Sequence, residues 1–65
     1  MIWAIFSSDK QHIIDFFKGN SDDCWKYVQK HSYNCGMIGS MNEDVVDLWN
    51  DGWEYLDGMW IAPKS

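Results

Sequence analysis

There is no arginine among the 65 residues of this chain. Five lysines face ten aspartates and glutamates, for a net charge of −5. A surface that binds nucleic acid normally carries a basic patch rich in arginine, and an anionic membrane repels such a chain. Direct contact with DNA, RNA or a membrane is therefore not expected. Cysteine occurs only at Cys24 and Cys35, too few for a disulfide scaffold. Proline occurs once, at Pro63. No apolar run reaches the ~18 residues of a membrane span. Met1-Ile2-Trp3-Ala4-Ile5-Phe6 lacks the basic flank and the length of a secretory signal. The expectation is a cytoplasmic location and one compact domain over residues 1–65.

Aromatic residues are plentiful: five Trp, three Tyr and three Phe. They supply large buried areas per residue and argue against disorder. So short a chain folds to roughly 4,300 Å² of surface and has little stability in reserve. It needs dense packing or a partner.

Ile2 to Phe6 reads as a short buried strand. Ser7-Ser8-Asp9 offers cap residues for a helix running to about Lys18, with Ile13, Ile14, Phe16 and Phe17 as its core face and Gly19 as its stop. Ser21 caps a second helix that ends near His31, with Cys24, Trp25, Tyr27 and Val28 inward. Residues 32–39 read as a weak strand or an irregular connection. Ser40 caps a third helix from about Asn42 to Asp51, closed by Gly52, with Val45, Val46, Leu48 and Trp49 inward.

Asp57-Gly58 between two β-prone runs is a strong hairpin signal. A two-residue turn pairs Leu56 with Met59, Tyr55 with Trp60, Glu54 with Ile61 and Trp53 with Ala62. One face then carries Trp53, Tyr55, Trp60 and Ala62, and the other Glu54, Leu56, Met59 and Ile61. Both are largely apolar, so either the hairpin is covered on both sides or one side is kept for a partner. The fold class is α+β: a small single domain with a short N-terminal strand, two to three helices and a C-terminal β-hairpin. The strands are expected in one small sheet with helices on one face.

Ile13-Ile14-Asp15-Phe16-Phe17 also echoes Val45-Val46-Asp47-Leu48-Trp49. The echo raises a duplicated unit, although any amphipathic helix tends toward this pattern.

No motif assigns catalysis. Cys24, His31, Cys35 and His12 are the residues a zinc site would draw on, but they lack paired C-x₂-C or H-x₃-H spacing. A Cys–His nucleophile pair would lack an oxyanion motif, and the scattered glycines form no phosphate loop. No cofactor, metal or catalytic residue is assigned, and the chain is read as a non-enzyme.

The acids are unevenly spread. Residues 1–34 hold four acids and four lysines, whereas residues 35–65 hold six acids and only Lys64. Glu43, Asp44, Asp47 and Asp51 fall on one stripe of the third helix, opposite its core face. Asp51 stands at the negative helix end and Asp47 repels it, arrangements that stability alone does not favour. The leading expectation is an acidic interaction protein that docks on a larger protein's basic surface. It would be a stoichiometric inhibitor of a nucleic-acid-binding or nuclease-type site, as small phage-encoded and immunity-type inhibitors are. Its contact residues are Glu43, Asp44, Asp47 and Asp51, with Trp53, Tyr55 and Trp60 from the hairpin. The alternatives are a homodimer or other structural module joined through the hairpin, and a small thiol or metal enzyme.

Overall fold

A computed structural model describes residues 1–64 as a small α+β domain. Its surface of 4536 Å² is close to that of a compact chain of this mass. The order is β1 (Ile2–Ser7), β2 (Ile13–Lys18), α1 (Ser21–Lys30), β3 (Cys35–Met41), α2 (Asp44–Asn50), β4 (Glu54–Leu56) and β5 (Met59–Ile61). The first three strands form an antiparallel sheet in the order β2-β1-β3.

β1 runs down the middle and is packed on both faces. Ala4 and Phe6 join Ile13 in one core, which receives Phe16, Met41, Tyr55 and Trp60. Ile5 joins Cys24 and Val28 in the other, which receives Trp3, Ile14, Phe17, Tyr27 and Tyr33. Ile5, Ala4 and Cys24 are wholly buried. The molecule is therefore layered: α1 on one face of the sheet, the hairpin on the other.

Residues 9–18 do not form a helix. Ser7 and Asp9 act as turn residues instead of caps. The Ser7 hydroxyl donates to the Asp9 carboxylate and accepts from the His12 N–H at 3.2 Å. Asp9 Oδ1 also accepts from the Gln11 N–H at 3.0 Å. Lys10, at φ 64°, completes a turn closed by Ser7 N–H to His12 C=O at 2.8 Å. Such local bonds compete with helix initiation. The following Ile-Ile and Phe-Phe pairs suit a strand buried from both sides. The echo between residues 13–17 and 45–49 is therefore no duplication, because one copy is a strand and the other a helix.

Residues 35–41 resolve as a full strand, which places Ser40 within β3 instead of at a helix cap. Gly36 sits at a register shift opposite β1. A Cβ there would lie 2.5 Å from the Ser7 carbonyl oxygen, so the close approach demands glycine. α1 is capped by Asn20, whose Oδ1 accepts from the Asp23 N–H at 2.8 Å. Its buried stripe is narrower than the sequence implies: Cys24 and Val28 are buried, but Trp25 is 42% exposed. Val45, Val46, Leu48 and Trp49 of α2 face inward, but all four are only half-buried and none belongs to the fully buried core; Trp49 meets Phe16 edge-on at 5.4 Å.

The C-terminal hairpin has the expected register, Leu56–Met59, Tyr55–Trp60 and Glu54–Ile61. It forms a sheet of its own instead of joining β1. Both edges of β1 are taken by β2 and β3, and the hairpin lies across the sheet face, where Tyr55 and Trp60 pack on the core of Ala4, Phe6 and Ile13. Asp57 and Gly58 have φ of 51° and 83°, as a type I′ turn requires. Its tip is tethered by Asp57 N–H to Gln11 C=O at 3.2 Å.

Three substitutions test this arrangement. Gly58→Val meets no steric neighbour, so its cost is conformational alone, about 1–2 kcal/mol by urea denaturation. Trp49→Ala should cost about 2–4 kcal/mol and Trp25→Ala under about 1 kcal/mol. Equal losses would refute the inward assignment of Trp49.

Candidate functional site

The four acids of the α2 region stand in solvent. Asp44 and Asp47 lie on the helix, Glu43 is its N-cap and Asp51 its C-cap, and all four are exposed. α2 has two acids in its first turn and no base in its last. Lys18 Nζ reaches Glu43 Oε1 at 3.4 Å, and this is the one ion pair among the described residues. The helix ends in a Schellman-type pattern: Gly52, at φ 94°, donates to Trp49 C=O and Trp53 donates to Leu48 C=O. That reversal leads directly into the hairpin, so the acidic helix and β4 are adjacent.

The aromatic hairpin residues occupy a different place from the one expected. Tyr55 and Trp60 pack into the core beside Ala4 and Phe6. Tyr55 lies edge-on to Phe6 at 5.6 Å and to Trp60 at 5.4 Å. Their apolar area covers the sheet, so they are not a free contact face. Trp53 is half-buried at the α2–β4 junction. The exposed face is the other one, where Leu56, Met59 and Ile61 are 37%, 66% and 44% exposed.

A second polar cluster escaped the sequence reading. Asp15 Oδ2 accepts from both Tyr27 Oη and Tyr33 Oη at 2.6 Å, and its Oδ1 accepts from the Phe16 N–H at 2.7 Å. A bulge in β2 makes this possible. Phe6 pairs with Ile13 and Ile5 pairs with Asp15, leaving Ile14 as the extra residue. Strict alternation would return Asp15 to the side of Ile13; the bulge re-aims it beneath α1. Tyr27 is one turn before the end of α1. Tyr33 is placed by a second Schellman-type ending, in which Ser32, at φ 55°, donates to Gln29 C=O and Tyr33 donates to Val28 C=O. His31 stacks on Tyr33 with ring centroids 5.3 Å apart.

Partial burial opposes ionisation of Asp15, but the hydroxyls of Tyr27 and Tyr33 and the Phe16 N–H outweigh it. The carboxyl is held below its usual range. The same bonds, chiefly that to Asp15, raise both phenols. Burial raises the Cys24 thiol, with smaller contributions from Cys35 and Asp15. Asp15 is thus an ionised acceptor held by protonated donors, a lock between β2, α1 and the loop after it. Cys24 is the inert kind of buried thiol. Cys35 is half-buried and its Sγ donates to Met37 C=O at 3.1 Å. Among the described residues, no three His, Cys, Asp or Glu side chains come together as a metal site.

No family model matches this chain, and no curated protein or solved structure matches it.

The Asp15 lock has a defined acid signature. Because its pKa is lower folded than unfolded, its stabilisation is complete above the unfolded value of about 3.9 and is lost as pH falls through the folded value. Urea midpoints measured from about pH 6 down to pH 2 should fall more steeply for the wild type than for Asp15→Asn. Asp15→Ala should cost about 2 kcal/mol at neutral pH. Parallel pH profiles for wild type and Asp15→Asn would show that the carboxylate bears no such load.

Proposed function

We propose that this chain is a non-catalytic interaction protein whose acidic second half docks on a basic surface of a larger protein, blocking it stoichiometrically. The observation that carries this reading is the division of labour in α2. Its apolar residues are turned inward, while Glu43, Asp44, Asp47 and Asp51 face solvent. Asp15 earns its place by holding the fold together; the α2 acids have no comparable duty. Asp44, Asp47 and Asp51 form no ion pair among the described residues, and Asp51 stands at the helix end where negative charge destabilises by tenths of a kcal/mol. A patch of one sign steers an oppositely charged partner and speeds association. A nucleic-acid-binding or nuclease-type site offers such a basic surface.

The test is a matched pair of charge reversals, read against the basic protein recovered from the native host. Asp47→Lys with Asp51→Lys should keep the fold and weaken binding about tenfold or more, about 1.4 kcal/mol. Asp22→Lys with Asp23→Lys removes the same charge from exposed sites on α1 and should leave affinity within about threefold. Affinity should also fall as salt shortens the screening length toward about 8 Å. Equal losses from both variants would reduce the effect to net charge, and no loss from either would end the acidic-surface reading.

A further inference from the structure

The face of the hairpin turned away from the core is built from large apolar side chains that stay partly in solvent. Leu56 and Met59 are cross-strand neighbours, and Ile61 stands opposite Glu54 on the same face. Met59 is 66% exposed and Ile61 44%. A hairpin face bathed in water ordinarily carries polar residues. Clustered apolar side chains with a polar border are the usual form of a protein contact. Acids lie in and beside this face: Glu54 lies within it and Asp57 forms the turn at its end, while Asp51 stands next in the chain to Gly52. Gly52, Glu54, Ile61, Pro63 and Lys64 line a hollow at the hairpin base, where Lys64 is the one cation beside these acids among the described residues.

We infer that Leu56, Met59 and Ile61 are the apolar centre of the docking surface, and that the occupant is a cationic amphipathic segment of the partner protein. In that segment a row of apolar side chains is flanked by Lys or Arg. The inference rests on the proposed acidic interaction and adds what the acids alone do not supply, a desolvated centre. Charge decides between this occupant and a second copy of the chain. Two copies joined through this patch would bring together two chains of −5 each, with Glu54 inside both faces and Asp57 at the end of both. A cationic segment satisfies these acids instead.

Three short synthetic peptides of one pattern provide the probe: Leu with Lys, Leu with Glu, and Ser with Lys. Binding is followed by backbone amide shifts of the whole protein. The Leu–Lys peptide should move the signals of residues 54–62. The Ser–Lys peptide should bind about tenfold more weakly or worse, and the Leu–Glu peptide should not bind. Met59→Thr with Ile61→Thr keeps β-forming residues and should weaken the Leu–Lys peptide about tenfold or more. If that variant does not fold, the wild-type shift map decides. Equal binding of Ser–Lys and Leu–Lys, with shifts confined to α2, would overturn the apolar centre and leave the acidic reading standing. Equal binding of Leu–Glu and Leu–Lys would overturn the inference and the acidic reading together. A dimer in sedimentation that the double variant dissolves would assign the face to a second copy. Absence of binding by all three peptides would also sink the inference.

Discussion

Everything in this domain hangs on the burial of β1 from both sides. A chain of 65 residues cannot build one deep core. Here it builds two thin ones that share a strand. Ala4 and Phe6 serve the hairpin side, and Ile5 serves the α1 side. The remaining elements are lids on one or the other. This explains why apolar residues run almost without interruption through β1, and why β2 and β3 must supply both its neighbours.

Sequence patterning was informative where a signal is local. The Asp57-Gly58 turn, the hairpin register, the stop at Gly52 and the inward face of α2 could all be read from short windows. The second strand could not. Its apolar residues, Ile13, Ile14, Phe16 and Phe17, fit one face of a helix as well as a strand covered on both faces. The arbiter is the turn knitted by Ser7, Asp9 and Lys10, which is built from residues that equally suit a helix cap. Strand grouping was beyond reach for a different reason: β1 fills both edges with β2 and β3, a long-range fact no window contains. The same limit misplaced the hairpin aromatics. Both hairpin faces look apolar, and only the layer beneath decides that Tyr55 and Trp60 are inward and Met59 outward.

The carboxylates divide into two kinds by what they touch. Asp15 is paired with three donors and bound to the packing of α1, because a bulge turned it there. The acids of α2 touch almost nothing of their own chain. That contrast gives the surface its proposed meaning: a charge left idle by the fold is free to be used by another molecule. The exposed Met59 and Ile61 stand in the same position among apolar residues, and they lie in the adjoining hairpin.

The order β2-β1-β3 also sets a folding schedule. β1 and β2 are close in the chain and join through a tight turn, but β3 arrives only after the whole of α1. Until it docks, one edge of the most apolar strand has no hydrogen-bonding partner. Closing that longer loop is the slow kind of step, since its entropy is spent before the contacts repay it. Gly36 permits the close approach of β3 to β1 on which that closure depends. An unclosed edge of this sort is also where one chain can pair with another, so β3 protects the most apolar strand as well as completing its sheet.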